Sequence, residues 1–319
     1  MRGRFAPSPS GEMHLGNAWT ALLAWLQVRQ ANGVFVLRIE DIDPERSKPE
    51  YIEQILADLH WLGLDWDEGP DVGGFYGPYL QSKRLALYET ALADLQTQGL
   101  VYPCFCSRAD IRAAASAPHG VEPAMEYPGT CRTLSAAERQ AKLIQTGGRF
   151  SLRFCFDAET VNFHDLVFGH QAHHPAAELG DFVVRRSDGV PAYQLAVVVD
   201  DAAMQITHVL RGADLLASTS RQIALFESLG LAVPQYAHAP LLYGPDGRRL
   251  SKRHGDISLK ALRERGVEPG TIVGWLGYWA GLLPQPCQVQ PADLISRFGL
   301  HSLPKQGIEI DPQGLSSRL

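Results

Sequence analysis

Two short segments far apart in the chain carry residues suited to binding phosphate groups. The first is His14-Leu-Gly16-Asn17, at a predicted helix start, where the helix dipole favours anions and a histidine can donate to phosphate. The second is Arg249-Leu-Ser251-Lys252-Arg253, in a glycine-flanked loop whose lysine can place its ammonium on a phosphate. Alone, His14 would be read as a core histidine at a helix start. Together, the two segments indicate a site where phosphates are bound and separated.

The elements predicted around the first segment form a strand–helix–strand unit. A short strand at 4–6 runs into a Pro-Ser-Pro-Ser-Gly loop, a helix with one apolar face follows, and an apolar strand spans 34–39. Such a unit begins a doubly wound parallel sheet. Ligands collect at the carboxyl ends of parallel strands, so Ser8 and Glu40 are expected at the site.

The remaining chain continues this pattern after an interruption. From about residue 101 to 185 a Cys-x-Cys, a Pro/Gly/Ala-rich stretch and a strand-like segment indicate an inserted lobe. The pattern resumes near Tyr193, a strand delivers Arg211 to another strand end, and Ser218 or Thr219 is expected to cap the next helix. The other predicted elements are helices at 51–62 and 85–95 and strands at 149–154, 205–210 and 236–243.

Composition limits the class of protein. The 319 residues are 45% hydrophobic and 20% charged, with no apolar run long enough to span a membrane, which predicts an ordinary globular chain with no membrane partner. Five cysteines and the lack of a leader pattern predict a reduced, cytoplasmic location. The formal charge of −6 argues against a general nucleic-acid coat, although local basic patches remain. No Walker-type loop or Gly-x-Gly-x-x-Gly occurs, so P-loop and dinucleotide-binding hypotheses lack support.

The two phosphate-binding segments, in this order, resemble the HIGH and KMSKS signatures of class I aminoacyl-tRNA synthetases. The resemblance implies ATP-dependent activation of an amino acid, with Mg²⁺ accompanying ATP. It also implies catalytic roles for His14 and Lys252, and ATP binding by His14, Gly16, Asn17, Ser251 and Lys252. The implied fold class is α/β, a Rossmann-type doubly wound parallel sheet with an inserted zinc-bearing α+β lobe and a short helical C-terminal extension.

Within class I the chain resembles the glutamyl branch. The likeness rests on the string from Arg4 to Gly11, on Arg38-Ile-Glu-Asp-Ile-Asp43, and on Tyr193, Asp200-Asp201 and Arg211. It implies binding of L-glutamate, and two arginines could hold carboxylates while Glu40 receives the ammonium. The implied glutamate-binding residues are Arg4, Ala6, Ser8, Glu40, Tyr193 and Arg211.

A cysteine pattern suggests a structural metal. Cys104, Cys106 and Cys131 with Tyr127 offer three thiolates and a phenol, a set that suits one tetrahedral zinc ion. The spacing resembles the zinc site in the inserted lobe of glutamyl-type synthetases. As fourth ligand, His119 or a water could replace Tyr127. Cys155 and Cys287 are expected to be core residues.

Only 66 residues follow Arg253, too few for the anticodon-reading domain of a full glutamyl-tRNA synthetase. The chain therefore resembles the truncated family of glutamyl-queuosine tRNA(Asp) synthetases. That resemblance implies a monomer that activates glutamate without tRNA and esterifies it onto queuosine at the wobble position of tRNA(Asp). Two alternatives stay open: a minimal glutamyl-tRNA synthetase that charges a tRNA 3′ end, and a non-catalytic RNA-binding paralogue.

Four domains are expected. They are a first catalytic half at 1–100, the inserted lobe at 101–185, a second catalytic half with the KMSKS loop at 186–257, and a helical C-terminal region at 258–319 without an anticodon-binding domain.

Overall fold

A computed structural model describes residues 1–107, 109–111, 127–157, 159–174, 180–244, 246–248, 250 and 258–310. The helices are α1 Leu15–Gln30, α2 Pro49–Trp61, α3 Leu85–Thr97, α4 Ala136–Gln145, α5 Tyr193–Ala203, α6 Leu216–Ser228, α7 Leu259–Glu264, α8 Pro269–Trp279 and α9 Pro291–Leu294. The strands are β1 Arg2–Phe5, β2 Val34–Leu37, β3 Val101–Cys104, β4 Ser151–Phe154, β5 Val161–Asp165, β6 Gly169–His173, β7 Phe182–Arg185, β8 His208–Gly212, β9 Gln235–Ala239, β10 Leu242–Tyr243 and β11 Ile308–Glu309.

The main sheet has the strand order β2-β1-β8-β9-β5-β6. Its first five strands run parallel, and β6 pairs antiparallel with β5. A second, antiparallel sheet has the order β3-β4-β7. The expected mixed α/β fold with a parallel sheet is confirmed. The segment at 101–185 supplies strands to both sheets, and the four domain boundaries stay a prediction.

Two hydrophobic clusters cover the two faces of the main sheet. Neighbouring residues of one strand belong to different clusters, Val209 to one and Leu210 to the other. One cluster holds α1 together with α2, α7, α8 and α9, and the other holds α3, α5 and α6. Helices on both faces explain why β2 is continuous in apolar residues.

Two details of the sequence prediction were wrong. Ser218 and Thr219 do not cap a helix, because α6 begins at Leu216 and both lie inside its first turn. The predicted strand at 236–243 is interrupted at Pro240, which has no N–H for a ladder, so β9 and β10 belong to different sheets. None of the described helices has the length and apolar character needed to span a bilayer.

Candidate active site

A cavity of about 160 Å³ opens where β1 and β8 end and α1 begins. This is the edge of a parallel sheet at which ligands are expected. Among its lining residues are eight that the sequence singled out, namely Arg4, Ala6, His14, Gly16, Asn17, Glu40, Tyr193 and Arg211. One cavity therefore combines the first phosphate-binding segment with most of the proposed amino-acid pocket.

His14 is the N-cap of α1, and its own side chain closes the cap. The ring Nδ1 accepts from the backbone N–H of Gly16 at 3.1 Å, and the backbone N–H of His14 donates to Asn17 Oδ1 at 3.1 Å. Because Nδ1 accepts, the hydrogen of a neutral ring is on Nε2. A Cβ at Gly16 would lie 3.0 Å from the imidazole, so a larger residue would crowd the ring.

Arg4 and Glu40 are held by a network of buried charges. Arg4 donates to both carboxylate oxygens of Asp201, at 3.3 and 3.4 Å. Arg38 lies between acids, with Nη1 at 2.6 Å from Asp201 and Nη2 at 3.2 Å from Glu40. Burial works against ionisation of Asp201, yet Arg4 and Arg38 keep the pKa of that carboxyl below its ordinary value. Burial raises the pKa of Glu40, although Arg38 and Arg4 oppose the rise.

Arg211 is 3% exposed and is bound differently. Its Nη1 donates to Gln222 at 2.6 Å, its Nη2 to Thr219 at 2.9 Å, and its Nε to His238 Nε2 at 3.0 Å. These acceptors are an amide, a hydroxyl and an imidazole, whereas Arg4 is bound to a carboxylate. A buried cation held by neutral groups favours an incoming anion.

Ser8 and Tyr193 line a second cavity beside the first. Ser8 is exposed and lines an adjoining cavity of about 350 Å³, which shares Glu40 and Tyr193 with the first. Tyr193, the first residue of α5, is one-third exposed. The structure thus sets Ser8 beside the main cavity and not among its lining residues.

The second phosphate-binding segment lies largely outside the described residues, including Arg249, Ser251, Lys252 and Arg253. Its described neighbours lie at the main cavity. Leu250 lines that cavity and donates its N–H to Leu242 O at 2.8 Å, and Ser258 forms a bridge with His14. Leu250 and Ser258, the described residues on either side of Lys252, therefore lie at or next to the cavity.

The cysteine cluster lies at the end of β3. The Sγ atoms of Cys104, Cys106 and Cys131 all lie within 4.8 Å of one another, and those of Cys106 and Cys131 are 3.5 Å apart. A tetrahedral zinc with bonds of about 2.3 Å would set its sulfurs roughly 3.8 Å apart. Tyr127 Oη is 3.4 Å from Cys104 Sγ, close enough for a fourth ligand. The spacing and the soft donors fit a structural zinc ion.

The surroundings of the cluster also suit bound thiolates. Arg153 donates to Cys104 Sγ at 3.3 Å, and its guanidinium lies 3.7 Å from the centre of the Tyr127 ring. Burial and the neighbouring sulfurs raise the pKa of Cys106 to about 12, so a bound cation would be needed to hold this sulfur as a thiolate. The alternative ligand His119 lies outside the described residues. Cys155 packs partly buried against the cluster, whereas the prediction that Cys287 is a core residue was wrong, since it is exposed.

Several residues that hold the site in place were not predicted as site residues. Asp201 and Arg38 lie within motifs that carried the glutamyl resemblance, and in the structure they form a buried ion pair. His238 and Gln222 come from β9 and α6 and meet Arg211 only in the folded chain. No spacing rule links them.

Comparison with known proteins agrees with this site. Residues 1–280 match the family described as tRNA synthetases class I (E and Q), catalytic domain. The chain is 56% identical to a glutamyl-Q tRNA(Asp) synthetase of Symbiobacterium thermophilum, covering 99% of this chain and 97% of the relative. It is 49% identical to the glutamyl-Q tRNA(Asp) synthetase of Nitratidesulfovibrio vulgaris, covering 100% and 98%.

Among solved structures, the glutamate-tRNA synthetase of Elizabethkingia anophelis superposes with a TM-score of 0.86 at 30% identity, covering 98% of this chain and 68% of that one. The chain belongs to the class I tRNA synthetases of the glutamate and glutamine branch, and within them to the family of glutamyl-Q tRNA(Asp) synthetases. It is thus a ligase of the aminoacyl-tRNA synthetase class, as the resemblance predicted.

Proposed function

We propose that the protein activates L-glutamate with ATP, without needing tRNA, and transfers it to queuosine at the wobble position of tRNA(Asp). The observation that carries this proposal is one cavity in which the His14 cap of α1 lies with Arg4, Glu40 and Arg211. A helix start for phosphates and a charged pocket for an amino acid must adjoin if a carboxylate is to attack the α-phosphate of ATP.

Charge complementarity supports glutamate as the amino acid. Arg211, held by neutral acceptors, would receive the side-chain carboxylate. Glu40 would receive the α-ammonium, which favours its ionised form despite burial. Arg4 and Tyr193 line the same cavity, with Ala6 beside them, and Ser8 borders it from the adjoining one.

Positioning and positive charge would carry the activation step, since attack of a carboxylate on the α-phosphate, with release of pyrophosphate, needs little covalent help from the protein. His14 would donate from Nε2 to phosphate, Gly16 would let the nucleotide approach, and Asn17 holds the cap. Lys252 would place its ammonium on the departing pyrophosphate, assisted by Ser251. Mg²⁺ bound with ATP would neutralise part of the phosphate charge.

The names of the relatives support the queuosine acceptor. Two relatives that are 56% and 49% identical over 99% and 100% of this chain are named glutamyl-Q tRNA(Asp) synthetase. The fold similarity to the solved glutamate-tRNA synthetase keeps 3′-end charging as the competing outcome of any test. A monomer and the four domain boundaries given above remain part of the proposal.

Glutamate-dependent exchange tests the first half of the reaction. In an ATP–pyrophosphate exchange assay without RNA, we expect exchange with glutamate and at least a roughly hundredfold lower kcat/KM with glutamine, because the neutral amide leaves buried charge unpaired. Absence of exchange with glutamate, or equal exchange with both amino acids, would refute the proposal.

We further propose one structural zinc ion per chain, held by Cys104, Cys106, Cys131 and Tyr127. Purified protein should contain one zinc atom by elemental analysis. Cys104→Ser and Cys131→Ser should lower the zinc content, because serine replaces a soft thiolate by a poor ligand. Cys287→Ser, at an exposed cysteine outside the cluster, is the matched control and should keep its zinc. Full zinc in both cluster variants would mean that other ligands hold the metal.

A further inference from the structure

A buried acid–histidine pair lies directly behind Arg211. Asp165 at the end of β5 and His238 on β9 are both fully buried, and Asp165 Oδ2 lies 2.6 Å from His238 Nδ1. On its other side, His238 Nε2 faces the Nε–H of Arg211 at 3.0 Å. The three side chains therefore form a continuous row from the interior of the sheet to the cavity.

The hydrogen bonds fix which imidazole nitrogen carries the proton. Asp165 Oδ1 accepts from the backbone N–H groups of Val167 at 3.0 Å and Phe168 at 2.8 Å. Although burial opposes ionisation, these bonds and His238 hold the pKa of Asp165 below its ordinary value. An ionised carboxylate can only accept, so Nδ1 carries the hydrogen, and Nε2 is left to accept from Arg211.

The imidazole in this row is neutral, because Nε2 accepts the Nε–H of Arg211 and so carries no hydrogen of its own. Burial lowers the pKa of His238, and the nearby guanidinium groups of Arg211 and Arg4 lower it further, against the opposing effect of Asp165. The groups facing the ring are Asp165 from β5, Arg211 from β8, Arg4 from β1 and the stacked ring of Tyr236 on its own strand. The negative charge of Asp165 is thus separated from Arg211 by an uncharged ring.

We propose that Asp165 and His238 are positioning residues that select the amino acid. Asp165 fixes the His238 tautomer, and His238 orients Arg211 through a lone pair without neutralising it, so the guanidinium charge stays available for a substrate carboxylate. Gln222 and Thr219 are the other uncharged side chains that accept hydrogen bonds from Arg211. The inference rests on the proposed function, because it takes Arg211 as the group that binds the glutamate side chain.

Asp165→Asn tests the tautomer. The two backbone amides would retain the asparagine carbonyl, so its NH₂ would donate to Nδ1, and Nε2–H would then face the Nε–H of Arg211. Two opposed buried donors should raise KM for glutamate by about tenfold or more, with KM for ATP changed by less than about twofold. Asp71→Asn, in the exposed pair that Asp71 forms with His60 at 3.8 Å, is the matched control.

His238→Asn provides the second arm, since asparagine reaches Asp165 but is too short to pass the change on to Arg211. In that background Asp165→Asn should raise KM for glutamate by less than about threefold. An equal effect of Asp165→Asn with His238 unaltered and in the His238→Asn background, or a parallel rise of KM for ATP, would overturn the proposal.

If circular dichroism shows that Asp165→Asn does not fold, the comparison moves to His238→Asn against His238→Gln. Asparagine can reach Asp165 but is too short for Arg211, so its KM for glutamate should exceed that of the glutamine variant by about tenfold. Equal values would overturn the proposal. Loss of glutamate-dependent exchange in the unaltered protein would instead refute the proposed function itself, so the two failures are distinguishable.

Discussion

Replacing Arg211 with glutamine is expected to lower kcat/KM for glutamate activation by roughly a thousandfold or more, because the site loses its uncompensated buried cation. Glutamine keeps hydrogen-bonding capacity but brings no charge for the side-chain carboxylate. The same change should bring the rates with glutamate and glutamine close together. ATP–pyrophosphate exchange with each amino acid measures both effects.

Arg29→Gln is the matched control for that variant. Arg29 is an arginine of α1 that pairs with Asp65 and Asp67 outside the cavity, so its loss should leave exchange unchanged. Retention of strong glutamate preference by Arg211→Gln, in protein that melts like the unaltered chain, would remove Arg211 from the amino-acid pocket.

Lys252→Ala is expected to lower the rate of activation far more than it weakens glutamate binding. The proposed contact is to ATP phosphates and strengthens as they separate, so its removal should cost on the order of 3 kcal/mol, or roughly a hundredfold in kcat. Single-turnover formation of glutamyl-adenylate, with glutamate binding measured separately, gives the two numbers.

Lys305→Ala, at an exposed lysine, is the control for Lys252→Ala and should react at the unaltered rate. An activation rate in Lys252→Ala equal to that of the control would exclude this lysine from the chemistry.

The beginning of the sheet could be predicted because its signals are local. The helix after His14 and the apolar strand at 34–39 follow from the residue pattern, although α1 is buried nearly all round and not on one face alone, and β1 and β2 pair in parallel as expected. Helix α5 is less readable, since Val197, Val198 and Val199 are β-branched residues that favour strands. It is nevertheless helical and buried, and Asp201 and Asp200 near its end pair with Arg38 and Arg84 in the interior.

The site could be predicted only as far as its motifs extend. Arg211 was recognisable within the glutamyl resemblance, but what holds it was not. Thr219, expected as a helix cap, instead accepts a hydrogen bond from Arg211. His238, which also accepts from Arg211, lies on β9, 27 residues further along the chain. Such contacts depend on the packing of α6 and β9 against β8, which no local pattern in the sequence records.

The position of glutamate on tRNA tests the central proposal most directly. The protein is incubated with ATP, labelled glutamate and total tRNA with or without queuosine, and the labelled product is mapped by nuclease digestion. We predict label on the anticodon nucleoside of queuosine-containing tRNA(Asp) and none on tRNA lacking queuosine. Label on the 3′-terminal adenosine, irrespective of queuosine, would contradict the proposal and identify a minimal glutamyl-tRNA synthetase.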